Sequence, residues 1–144
     1  MRMINPRDVP NIDPESLRRR QRLQRLIASI ERSETYDHAF VFHFCGTPGC
    51  ACGHFLADPE LRADFLKHNP DIDLPRHRSP IAVSPQIMKR VATALGIPWR
   101  VFDDPSPHHD GTKAGVISCL KGYLRRQLDR QAVSQSPGAA VIHA

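Results

Sequence analysis

Residues 38–57, HAFVFHFCGTPGCACGHFLA, decide how the chain folds. Phe40, Phe42 and Phe44 alternate with Val41 and His43, the period-two pattern of a strand with one apolar face. The run stops at Cys45 and Gly46. Thr47 followed by Pro48 then offers a cap and a first-turn residue for a short helix through about Ala57. Strand, tight turn and helix follow one another directly, and this knot holds three of the four cysteines and three of the eight histidines.

On its N-terminal side the pattern is helical. Asp13, Pro14 and Glu15 supply a side-chain cap, a proline suited to the first helical position and a carboxylate for the positive helix end. The spacing predicts a helix from there to about Arg32 or Glu34, with Leu23, Leu26, Ile27 and Ile30 on one side and Arg18, Arg22, Arg25 and Arg32 on another. Asp58, Pro59 and Glu60 repeat the start signal and predict a further helix through about Lys67, with Leu61, Phe65 and Leu66 for the core.

Residues 68–80 are rich in Pro, Asp, Arg and His and read as a loop long enough to bind something. A short strand is expected over Ile81 to Val83. Ser84 and Pro85 then open a helix that stops at Gly96, with Ile87, Met88, Val91, Ala94 and Leu95 on one face. Trp99, Val101 and Phe102 follow as apolar anchors, the tryptophan expected to pin this connection against the core. After a polar loop over 103–111 carrying His108 and His109, Thr112 caps the last helix. There Val116, Ile117, Leu120, Tyr123, Leu124 and Leu128 form one apolar arc, with Cys119 a buried thiol at its edge.

These elements predict a single α+β domain over residues 13–131, mostly helical, with a short aromatic strand or hairpin against several amphipathic helices. Residues 1–12 read as a flexible arm and 132–144 as a disordered tail, because their scattered hydrophobes cannot offset the cost of ordering the backbone. A length of 144 residues suits one modest core. Thirteen prolines, eight glycines and 6% aromatic residues point to many element boundaries and an aliphatic interior.

The formal charge of +5 and an isoelectric point near 9.4 favour polyanionic partners over acidic substrates. No segment has the roughly 18 apolar residues that span a bilayer, and the prolines and charges near the N-terminus exclude a signal-peptide core. A soluble protein of a reducing cytoplasm follows, where clustered cysteines serve as metal ligands or buried thiols more often than as disulfides.

Three readings compete for the knot. In the first, Cys45 and Cys50 are small packers around the tight turn. In the second, zinc is held by His43, Cys45, Cys50 and His54. A helix after Thr47 sets Cys50 and His54 one turn apart on one face and points Cys52 about 200° away from Cys50. In the third, a thiol near a helix N-terminus, Cys50, is a nucleophile with His43 or His54 as its base. The packing reading ranks first, since the ligand spacing departs from the paired C-x2-C pattern of structural zinc sites. The arginines at 18, 22, 25 and 32 form either a phosphate-contacting face or a solvated helix face, and Glu31 and Glu34 dilute them.

CGTPGCACGHF resembles the C-G-T-x-x-C-A-x-G-H/W signature of a group of small bacterial and phage proteins. Cys45, Gly46, Thr47, Cys50, Ala51, Gly53 and His54 match it, while Cys52 stands where an aliphatic residue is usual. LGIPWRVFDDP and TKAGVISCLKGYL are similar to later segments of that group in the same order, so the resemblance covers about Ser16 to Leu124. It implies one domain of the architecture above and adds no chemistry. The function expected is that of a non-catalytic accessory or binding protein for a protein or nucleic-acid partner. The alternatives are a zinc-supported nucleic-acid-binding module using the basic first helix, and a cysteine-dependent enzyme.

Overall fold

The structure, a computed structural model, describes residues 13–38, 48–72, 74, 85–102 and 108–134. These form five α-helices, α1 (Pro14–Arg32), α2 (Ala51–Ala57), α3 (Pro59–His68), α4 (Pro85–Leu95) and α5 (Lys113–Ser134), with one 3-10 turn over Trp99–Val101 between the last two. Mostly helical architecture is as expected. The strands expected over Phe40–Phe44 and Ile81–Val83 and the arm over 1–12 lie outside the described residues, as does the tail from 135 onward.

Helix α1 is the centre of the packing and lies against α2, α4 and α5. It starts where the Asp13 carboxylate accepts from the Ser16 N–H at 3.1 Å, and Pro14 takes the first helical position, where a missing N–H costs nothing. Its apolar stripe, Leu23, Leu26, Ile27 and Ile30, is buried against the other helices. At its far end Lys113 from the start of α5 donates to the carbonyls of Glu31 and Ser33, placing a cation on the negative end of α1.

Asp58 makes the corner between α2 and α3. Its N–H donates to the His54 carbonyl at 3.2 Å and ends α2. Its side chain accepts from the N–H groups of Glu60 and Leu61, both at 3.1 Å, and starts α3. The corner closes over an edge-to-face pair, Phe55 and Phe65, with ring centroids 5.7 Å apart. Helix α4 ends in a Schellman arrangement: Ile97 N–H reaches Ala92 O at 3.1 Å and Gly96 N–H reaches Thr93 O at 3.2 Å. Gly96 has φ 70°, and a Cβ there would also meet Arg19 and Gln127 at 3.1 Å, so glycine is required by backbone and neighbours together. The turn delivers Val101 and Phe102 into the core.

Four expectations are corrected. α2 begins at Ala51, not at Pro48, because Cys50 is still extended (φ −80°, ψ 176°) and acts as its N-cap residue. Leu128 lies on the α5 arc but is 40% exposed, so the apolar arc is not buried along its whole length. Cys119 is half-buried rather than enclosed. The last helix also runs on to Ser134.

Candidate functional site

The described part of the cysteine knot is held by the chain just after α1. Thr35 Oγ1 donates to Pro48 O at 3.0 Å and Asp37 N–H to Gly49 O at 2.9 Å. These bonds lay residues 35–38 beside 48–50 and stack the Tyr36 ring on that of His54, with centroids 5.8 Å apart and planes 29° from parallel. The Tyr36 hydroxyl in turn meets His38 Nδ1 at 3.1 Å. The His38 ring stands edge-on to His109, centroids 4.8 Å apart. His109 accepts from Gly111 N–H at Nδ1 and therefore carries its proton on Nε2, which donates to Val101 O at 2.9 Å.

His54 is buried on α2. Its Nδ1 lies 2.9 Å from the Cys50 carbonyl oxygen, which can only accept, so Nδ1 carries the proton and Nε2 presents a lone pair. That Nε2 is buried and has no hydrogen-bond partner among the described residues. Burial holds the imidazole below its ordinary pKa, the Cys50 carbonyl acts the other way, and the nearby Lys113 cation lowers it further. The ring is a neutral acceptor at neutral pH. It lines a cavity of about 250 Å³ together with Ser29, Arg32 and Ser33 of the α1 end, Pro48, Ala57 and Asp58.

Neither thiol of the pair nearby is poised to ionise. Cys50 is 2% exposed and Cys52 is fully buried. Burial pushes the Cys50 thiol up, and the N–H groups of Gly53 and Cys52 at the start of α2 offset only part of that. Burial raises Cys52 well above the ordinary range, with Cys50 beside it adding to the effect. Of the zinc set, Cys50 and His54 sit on one turn, with His54 facing the Cys50 carbonyl, while His43 and Cys45 lie outside the described residues. Among the described residues no three His, Cys, Asp or Glu side chains converge as metal ligands would.

Of the six arginines of α1, the four expected to lie together, Arg18, Arg22, Arg25 and Arg32, do not share one open face. Arg22 is buried: its Nε donates to Asp64 of α3 at 2.8 Å, and its Nη1 to Ala94 O at the end of α4 at 3.0 Å and to Glu15 at 3.2 Å. Arg25 pairs with Asp58 and Glu60, each at 2.8 Å, and Arg18 with Glu15 at 3.1 Å. Arg32 is exposed at the mouth of the cavity beside His54. The solvated-face expectation fails for Arg22 in particular, because α3 and α4 supply acceptors that no helical wheel displays. Sequence reasoning also missed Tyr36, Asp58 as more than a cap, and Asp64. Only Asp58 carried a signal, in its Asp-Pro-Glu context.

A cleft of about 260 Å³ lies where α1, α3 and α4 meet, lined by Glu15, Arg22, Asp64, His68, Asn69 and Arg90 among others. Its charges are largely paired: beyond the Arg22 contacts, Arg90 holds Asp71 at 2.7 Å. Among the described residues no helix is long and apolar enough to cross a membrane. Comparison with protein-family models found no match, and neither the curated proteins nor the solved structures gave one.

Proposed function

We propose that the protein acts by binding a partner and not by covalent catalysis, as a small accessory or binding protein of a bacterium or phage. The observation that carries this reading is the state of Cys50 and Cys52: both thiols are enclosed and pushed toward the neutral form, whereas a nucleophilic thiol needs access and a lowered pKa. The reading includes an α+β domain over residues 13–131, with the Phe40, Phe42 and Phe44 run as its strand and a cytoplasmic setting. The resemblance to small bacterial and phage proteins supports one domain in that order.

Iodoacetamide labelling of the native chain near pH 7 tests it. Cys119 is expected to react first and Cys50 and Cys52 only as the protein unfolds. Fast alkylation of native Cys50 that disappears in His54→Ala would favour the cysteine-dependent enzyme instead.

One observation favours the zinc-supported module as a second reading. His54 donates through Nδ1 to a backbone carbonyl and leaves Nε2 without a partner among the described residues, the orientation that metal-bound imidazoles adopt. Metal analysis of protein purified without chelators decides it. One zinc per chain, lost in His54→Ala and in alanine variants of His43, Cys45 and Cys50 alike, would support the set His43, Cys45, Cys50 and His54, and metal-free folded protein would return the knot to packing.

A further inference from the structure

We infer that Trp99, with the cations laid over it, is a contact surface for single-stranded nucleic acid. The inference rests on the binding reading above and gives its unnamed partner a chemical class. It moves the nucleic-acid surface from the first helix to the far end of α4.

Trp99 opens the 3-10 turn after Gly96 and is only half-buried. Lys89 Nζ stands 5.0 Å from the centroid of its ring and Arg100 Cζ 5.2 Å. Both cations are exposed. In contrast to Arg18, Arg22, Arg25 and Arg90, neither makes an ion pair among the described residues.

Gln127 donates from Nε2 to Leu95 O at 3.0 Å and to Gly96 O at 3.3 Å, which ties α5 to the turn leading into Trp99. The residue before it, Arg126, lies over the Tyr123 ring with its Cζ 5.0 Å from the centroid. A second cation-on-aromatic pair thus stands on α5 next in sequence to the residue that ties this helix to the turn, and neither pair has an ion-pair carboxylate among the described residues.

This combination matches the chemistry of an unpaired strand. A guanidinium layered on an indole is a flat, preorganised surface on which a base can stack, while the adjacent ammonium and guanidinium groups meet phosphates. A duplex hides its base faces inside the stack and offers only its phosphates to such a surface. A membrane would require the aromatic ring to insert, and here the ring lies beneath its own cations with the rest packed against the core.

The chain contains one tryptophan, so its intrinsic fluorescence reports on this surface alone. Full-length protein is titrated with a short poly-dT oligonucleotide, with a duplex of equal length and with phosphatidylserine vesicles. Poly-dT is expected to quench Trp99 and to bind more tightly than the duplex, and the vesicles are expected to leave the emission unchanged.

By anisotropy of a labelled oligonucleotide, Trp99→Ala is expected to weaken binding about tenfold. Lys89→Ala and Arg100→Ala are each expected to lower the log-log salt slope by about 0.7. Arg100→Glu, at an exposed position, is expected to keep the wild-type melting temperature, which is measured alongside, and to bind several-fold more weakly than Arg100→Ala. Absence of binding, equal affinity for the duplex, a vesicle-only response or full affinity in Arg100→Glu would each overturn the inference. The binding reading is judged separately by thiol labelling: native Cys50 and Cys52 that stay inert while nucleic acid fails to bind would sink this surface and leave that reading standing.

Discussion

Arg25 donates from Nε to Oδ1 of Asp58 across 2.8 Å, joining α1 to the corner between α2 and α3. The same carboxylate receives Ser29 Oγ at 3.1 Å as well as the two N–H groups that open α3. Partial burial pushes its pKa up, but Arg25, the Leu61 N–H and Ser29 together outweigh that and hold it below the ordinary carboxylate value. One short side chain therefore fixes the relative placement of three helices.

Asp58→Ala is expected to cost about 2 kcal/mol, the upper part of the range for losing a helix N-cap, because the Ser29 bond goes with it. The Arg25 pair adds little, since that side chain is 39% exposed. Asp58→Asn keeps the cap and should lose about half as much. Urea denaturation measures both, and an unchanged midpoint in the alanine variant would mean that α3 is held by its core contacts alone.

The same carboxylate sets an acid limit. Its folded pKa lies below the unfolded value of about 3.9, so the unfolded chain binds the proton more readily. The stabilisation is complete above about pH 4 and is lost as the pH falls through the folded value. Thermal melts on the acid side should show wild type losing stability more steeply than Asp58→Asn. Parallel curves would assign the acid sensitivity to other carboxylates, such as Glu15. There partial burial raises the pKa, but hydrogen bonds from Arg18 and Arg22 outweigh it and leave the group lowered.

Arg22 should behave as a structural residue. Arg22→Ala removes one donor from Asp64 and leaves the Ala94 carbonyl without the guanidinium, a loss of about 2 to 3 kcal/mol. Arg22→Lys should recover less than half, because an ammonium cannot reproduce the fork that holds Asp64, Glu15 and Ala94 O together. Arg18→Ala, at an exposed pair, should leave stability near wild type. Equal stabilities for the alanine variants at 18 and 22 would refute the assignment.

Cys50 and Cys52, the two knot cysteines among the described residues, should respond to serine in the opposite order to the one their spacing suggests. By spacing, Cys50 is a packer at the tight turn and Cys52, pointing away from it, is expected to tolerate serine better. In the fold Cys50 occupies the N-cap position of α2 without a side-chain cap hydrogen bond, and serine is a preferred N-cap residue that can supply one. Cys50→Ser is expected within about 0.5 kcal/mol of wild type, whereas Cys52→Ser buries a hydroxyl at a fully enclosed site and should cost about 1 to 3 kcal/mol. Denaturation midpoints in the reverse order would return Cys50 to the packing role.

What the sequence determined by itself is the set of helix starts and the apolar stripes. Asp13-Pro14-Glu15 and Asp58-Pro59-Glu60 open helices where they stand because a cap is satisfied by N–H groups two and three residues away. Leu23, Leu26, Ile27 and Ile30 are buried together because the helical period alone puts them on one side. Tertiary structure decided the fate of the polar groups. Arg22 on a helical wheel is one more basic residue, and it is buried only because α3 brings a carboxylate from 42 positions away. His54 likewise takes its orientation from the Cys50 carbonyl, which depends on the residue at which α2 begins, and its stacking partner from the Tyr36 segment laid alongside. A cap or a stripe is settled within one or two turns of chain. Whether a charge is solvated, paired or left with an open lone pair depends on what the rest of the fold carries to it, and local sequence holds no record of that distance.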